Sequence, residues 1–344
     1  MGLCVRGICA TLSGLLMMSS YAQVSVTRLG DGPIIHPGLH ESIGVNIQGP
    51  SLIRVPDWVE HPLGRYYLYF ADHKGAYIRL AYADDLTGPW RIHVPGSLQL
   101  NESLFPTRPP QVSEEQARKI RQASAEAGIT LPHDIIEEVT APHIASPDVH
   151  VDHERRRIVM YYHGLEDVGR QVTRVAESAD GISFRAHPQI LGRTYLRVFQ
   201  WRGETYGLAM PGQIYRAQSA LGPFETGPLL FNPDMRHCAV LVRGDTLFVF
   251  WTQVKDAPEH IKVSEIDLSA DWLSWQATPG YEVLRPEFSW EGADAPLTPS
   301  MRSTAYGVVN QLRDPAVYQE GDEIYLLYAV GGEAGIALAR VRVE

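Results

Sequence analysis

Cysteine is almost missing from this chain. Of 344 residues only three are cysteines, Cys4, Cys9 and Cys238, and the first two fall in a segment laid out like a secretory leader. That segment has a basic Arg6, an apolar stretch over residues 8–18 and Ser20-Tyr21-Ala22 before Gln23, too short for a permanent membrane anchor. Residues 1–22 are therefore expected to be a signal peptide and residues 23–344 a secreted or periplasmic protein. Only Cys238 would survive cleavage, so no intrachain disulfide is available, and stability must come from a core that roughly 320 residues can supply. Cys9 lacks the small residues of a lipid-attachment site. No other apolar run reaches membrane-spanning length. Neither a phosphate-binding glycine loop nor a dinucleotide motif occurs, and no tight His or Cys spacing marks a zinc site. The net charge of −10 disfavours nucleic acid as a partner.

What the chain does have is a repeated phrase. An apolar strand opens with a small residue or proline, a hairpin leads to an aromatic-rich strand, and a third strand carries Arg/Lys-x-Ala/Ser. The clearest copies are Gly49-Pro50-Ser51-Leu52-Ile53 with Tyr66-Tyr67-Leu68-Tyr69-Phe70, and Ser146-Pro147-Asp148-Val149-His150 with Ile158-Val159-Met160-Tyr161-Tyr162. Five copies fall at about 44–95, 145–187, 195–224, 239–266 and 316–342, and a period of about 40 to 50 residues with several short strands predicts an all-β, five-bladed β-propeller. The fifth copy ends one strand short. Residues 24–28 alternate as a strand and are expected to complete that blade, since a closed ring leaves no free sheet edge.

Residues 101–142 interrupt the rhythm between the first and second copies. Ser113-Glu114-Glu115-Gln116 reads as a capping box, and residues 114–127 as an exposed helix ended by Gly128. Such an insertion is expected to rest on the funnel side; the plainer alternative is a decorative surface helix.

The phrase from Ser146 to Val151, followed by a charged hairpin and Ile158-Val159-Met160-Tyr161-Tyr162, resembles the Ala-Pro-Asp-Val…Tyr-Tyr-Leu-Tyr-Tyr phrase of glycoside hydrolase family 43. The resemblance implies a secreted glycoside hydrolase with a carbohydrate substrate in a central funnel. It also implies that Asp148 lines the funnel and tunes the catalytic acid. Two departures stand out. The family's base is an Asp before Pro at the opening of blade one, where this chain has Gly49-Pro50. Its acid is a Glu at the opening of blade three, near Thr194 or Tyr195. Asp314-Pro315 has the Asp-Pro form, but in blade five. The chemistry is therefore expected to be rearranged; the alternative is a catalytically inactive carbohydrate-binding propeller.

Two loop sets should face the funnel. Those entering each first strand offer Asn46, Gln48, His143, Asp148, Arg197, Arg236, His237, Arg313 and Asp314. Those joining second to third strands offer Asp72, His73, Lys74, His163, Glu166, Asp167 and Gln253. Glycoside hydrolysis needs two groups flanking the scissile bond. Asp148 with Glu166 or Asp72 is a candidate pair, Asp314 is a further carboxylate, and His73 or His237 could replace the acid because imidazole titrates near neutrality. Asn46, Gln48, His143, His163, Arg197 and His237 are the expected substrate contacts. The resemblance also implies a calcium-like ion on the propeller axis, towards which His143, His163 and His237 could converge.

Overall fold

The computed structural model describes residues 23–344; the expected leader, residues 1–22, lies outside the described residues. After β1 (Val24–Leu29), five four-stranded antiparallel sheets follow one another around an axis. Blade one is β2 (Gln48–Arg54), β3 (Tyr66–Ala71), β4 (Tyr77–Ala83) and β5 (Arg91–Gln99). Blade two is β6 (Ile144–Asp152), β7 (Arg157–Asp167), β8 (Arg170–Ser178) and β9 (Arg185–Gly192). Blade three is β10 (Arg197–Trp201), β11 (Glu204–Ala209), β12 (Gln213–Ala217) and β13 (Glu225–Leu229). Blade four is β14 (Met235–Arg243), β15 (Thr246–Gln253), β16 (Ile261–Asp267) and β17 (Tyr281–Leu284). Blade five is β18 (Arg313–Glu320), β19 (Glu323–Ala329), β20 (Ile336–Val343) and, on its outside, β1. The chain is thus the five-bladed propeller that its repeats announce.

β1 pairs antiparallel with β20, from Val24 opposite Val343 to Leu29 opposite Leu338. The first strand therefore closes the last blade and leaves the ring without an open joint. Arg28 fixes this seam: its guanidinium meets both oxygens of Glu291 at 2.8 and 2.9 Å, and Glu291 is wholly buried.

The second strands are aromatic because each blade is packed on both faces. Tyr67, Tyr69 and Phe70 on β3, and Tyr161 and Tyr162 on β7, are buried. The core is a set of apolar layers between neighbouring blades, one for each of the five joints. Buried phenols need partners, and these sit across the joints. Tyr69 donates to the Gly181 carbonyl at 2.7 Å. A Cβ at Gly181, where φ is +75°, would lie 2.8 Å from that hydroxyl, so the position after β8 is kept as glycine.

The insertion contains two helices. α1 (Glu114–Glu126) has the expected capping box, with the Ser113 hydroxyl accepting from the Gln116 amide and the Gln116 side chain accepting from the Ser113 amide, but it buries no residue. No periodic pattern marks α2 (Ile135–Thr140), and it is α2 with Ile129 and Leu131, not α1, that reaches the funnel. A second irregular stretch, residues 285–312 between β17 and β18, was also not foreseen. Among the described residues, no helix is long and apolar enough to cross a membrane.

Candidate active site

The same backbone event occurs where each blade's first strand approaches the axis. Gly49, Ser146, Tyr195, His237 and Asp314 all have positive φ, between 46° and 62°. In four blades the strand register shifts there, between Gln48 and Ser51, Ala145 and Asp148, Arg236 and Cys238, and Arg313 and Ala316; Tyr195 stands just before β10. Left-handed backbone is uncommon outside glycine and its cost marks positions that the surrounding structure over-determines. These five residues are one position repeated by the propeller symmetry. The ring is tight: a Cβ on Gly49 would lie 2.8 Å from the Ser146 Cα, so blade one has no room for a carboxylate there. Asp314 occupies the equivalent position one blade over, since β18 and β2 are neighbours.

A cavity of about 460 Å³ lies above this ring. Gln48, Ser146, Tyr195, Arg236 and His237 form its floor, and His73, Lys74 and His163 one side. Ile129, Leu131, Ile135 and Val139 of the insertion supply an apolar wall. Glu138 on α2 locks that wall in place. It pairs with Lys74 at 3.2 Å and His133 at 3.1 Å, and accepts from Ser303 at 3.2 Å. Burial works against its charge, but Lys74 and the two histidines His73 and His133 hold it below its ordinary range, ionised. A second cavity, about 570 Å³, opens beyond the Lys74–Glu138 pair and is lined by Asn46, Asp72 and Glu333.

Below the floor, charge is packed in pairs. Arg236 grips Glu259 with two nitrogens, Nε at 2.9 Å, and both side chains are buried. Glu333 accepts from Arg313 and Asn46, each at 2.7 Å, and faces His73 Nδ1 at 3.2 Å. Burial opposes its charge, yet His73 and Arg313 hold it far below the usual carboxylate range. Asp314 is different. It is 1% exposed, and burial together with the Glu333 carboxylate pushes it up to about 7. Its Oδ1 lies 3.7 Å from His237 Nε2, and its other oxygen has no partner beyond the nearby Tyr195 hydroxyl, which offsets part of the rise. The His237 ring packs 5.2 Å from that of Tyr195. Burial, then Arg236 and Arg313, keep His237 neutral.

The other expected residues are dispersed. Asp148 does not line the cavity. It is held between blades two and three by His150 at 2.8 Å, the Val198 amide at 2.8 Å and Arg197 at 3.7 Å. Burial alone would raise it, but His150 and Arg197 keep it ionised. The strand alternation after the bulge turns it away from the axis into the blade joint. Arg197 lies under the floor, donating to the Cys238 and Pro147 carbonyls beneath the Tyr195 ring. Glu166 pairs with Arg174 at 2.9 Å at the edge of blade two. Asp72 turns to the Lys74 amide and Arg79. Asn46 also accepts from the His73 amide at 2.9 Å. His143 is buried behind His163, rings 6.2 Å apart, and burial pushes it down to about 3. The sequence reading passed over Glu333, although Gly331-Gly332-Glu333 occupies the second-to-third-strand loop of blade five. It also passed over Glu138, which no repeat could flag.

The groups around the axis are the His163 and His237 imidazoles, the Gln48 amide, the Ser146 and Tyr195 hydroxyls and one carboxyl, Asp314. Calcium takes six to eight oxygens; among the described residues no three His, Cys, Asp or Glu converge on a metal.

No protein-family model matches the chain. It is 32% identical over 323 residues to Uncharacterized protein R118 of Acanthamoeba polyphaga mimivirus, covering 86% of this chain and 84% of that protein. Among solved structures, a GH43 β-xylosidase/α-arabinofuranosidase from a compost microbial metagenome superposes with a TM-score of 0.54 at 10% identity, over 92% of this chain and 94% of that one. A GH43_1 enzyme from Xanthomonas citri gives 0.53 at 11%, over 92% and 91%. A thermostable family-43 glycoside hydrolase gives 0.52 at 12%, over 87% and 89%. The chain therefore belongs to one family with protein R118, and its fold is a GH43-like five-bladed propeller.

Proposed function

We propose that the protein is an exported glycoside hydrolase whose funnel cavity holds the sugar and whose acid is the His237–Asp314 pair. His237, on the cavity floor, passes a proton to the leaving oxygen, and Asp314, buried behind it, replaces that proton. One observation carries this reading: the Asp-Pro carboxyl sits at the symmetry-repeated axial position, stays protonated up to about pH 7 and lies directly behind an imidazole of the cavity floor. An acid with a pKa near the working pH is what protonation of a leaving glycosidic oxygen needs. Glu138, ionised but tied to Lys74, His133 and Ser303, is the one carboxylate among the described lining residues and the candidate to activate water. The floor's buried ion pairs fix Tyr195 and His237 in position.

A second reading has its own support. The closed wall at Gly49 suits a propeller that binds sugar without cleaving it. Reducing-end release from a panel of plant and algal oligosaccharides separates the two. The hydrolase reading expects turnover by the parent, and a loss on the order of a hundredfold or more in Asp314→Asn, with folding intact. Sugar binding without turnover by the parent would favour the binding module, and turnover unchanged in the variant would remove Asp314 from the chemistry.

A further inference from the structure

The protein carries a net charge of −10, yet the funnel cavity has the opposite sign. His73, Lys74, Arg193, Arg236 and Arg302 line it, and Glu138 is the one carboxylate among the described lining residues. Three of these groups already face a carboxylate: Lys74 faces Glu138, His73 faces Glu333 and Arg236 faces Glu259. Arg193 and Arg302 have no carboxylate partner among the described residues. Arg193 follows β9 and Arg302 belongs to the 285–312 stretch, so they reach the rim from blade two and from the approach to blade five. Arg302 donates once, to the Pro233 carbonyl at 2.7 Å, which leaves most of its fork open. Arg302 is exposed to the cavity mouth; its neighbour Arg236 works against its charge, while Asp234 and Glu259 favour it without pairing to it. Beside them stand the polar groups of Thr194, Gln171 and Ser303, facing the apolar wall of the insertion.

We infer that the cavity takes an acidic sugar, a glycan unit bearing a carboxylate or a sulfate, with Arg193 and Arg302 reading the anionic group. The guanidinium fork matches both groups with paired hydrogen bonds. The apolar wall suits the carbon face of a pyranose ring, and the hydroxyl and amide groups suit its hydroxyls. The inference rests on the carbohydrate reading above and adds the charge of the substrate.

The test is calorimetric titration of the full chain with three probes of equal length: a galacturonate trimer, a sulfated galactose trimer and a neutral galactose trimer. At about 50 mM salt the parent is expected to bind one acidic trimer at least tenfold more tightly than the neutral one. That preference should shrink at about 300 mM, where screening is stronger. In the Arg193→Gln/Arg302→Gln variant, with its circular dichroism unchanged, the ratio of acidic to neutral affinity should fall towards one. Preference for only the uronate or only the sulfated trimer assigns the group. A neutral trimer bound as well as either acidic one, or a ratio unchanged in the variant, overturns the acidic-sugar inference and leaves the carbohydrate reading standing. If no trimer binds and none of the wider panel is cleaved, both fall together.

Discussion

At Asp314 the backbone is left-handed, the carboxyl is buried, and the charge that acts on it most strongly, Glu333, is committed to Arg313 and Asn46. Gly49 holds the same place in blade one with no side chain at all. Its glycine is required twice, by a φ of +62° and by the 2.8 Å approach to the Ser146 Cα. Gly49→Ala is expected to cost about 2 to 4 kcal/mol, strain and overpacking together. Gly244→Ala, where φ is +59° with open space around it, should cost only about 1 kcal/mol. Urea denaturation of both variants isolates the contact, and equal costs would show that the ring is looser than described. Residue by residue, the sequence displayed the Asp-Pro and the missing base but not their relation. Asp148 carried the more recognisable phrase, and only the bulge after Ser146, which flips the inward face, puts it in the blade joint. Glu333 and Glu138 reach the site from loops whose conformations no periodicity encodes.

The elements divide into those that repeats dictate and those that do not. Aromatic second strands, tight hairpins and the missing strand of blade five were all legible, because alternation and ring closure are properties of the pattern. The closing strand has its own test. Arg28→Ala leaves Glu291 buried without its counter-charge, held only by the Tyr328 hydroxyl and the Glu287 and Phe288 amides, and breaking a buried pair costs up to about 3 to 5 kcal/mol. The double variant Arg28→Ala/Glu291→Gln should recover most of that loss in the same denaturation experiment; no recovery would place the effect in β1 itself. The insertion was legible only where capping chemistry is local. α1 declares itself through Ser113 and Gln116, whereas α2 is six residues long and is held by tertiary ties from Glu138. The 285–312 stretch carries no periodic signal, yet it delivers Arg302 and Ser303.

For the molecule as a whole, the funnel is built at the expense of buried titratable groups. Burial lowers His143 from 6.5 to about 3 and places His163 and His237 well below 6.5. As pH falls below 6.5 the unfolded chain takes up these protons and the folded one does not. Each histidine then removes about 1.4 kcal/mol of stability per pH unit. Asp314, raised from 3.8 to about 7, has the opposite sign: its stabilising contribution is complete below 3.8 and is lost as pH rises through about 7. With three histidines lowered against one aspartate raised, the histidines outweigh Asp314, and stability falls on balance as pH drops below 6.5. The urea midpoint should therefore fall across that window, and more steeply in Asp314→Asn; a flat profile would mean that the histidines are solvated. The central claim is that protonated Asp314 supplies, through His237, the proton that the glycosidic oxygen receives, and kcat/KM against pH, from 5 to 9, for the parent and Asp314→Asn tests it most directly. The parent should lose activity tenfold per unit above about pH 7, and the variant should be on the order of a hundredfold slower with no such limb. The same limb at the same height in both proteins would contradict the account.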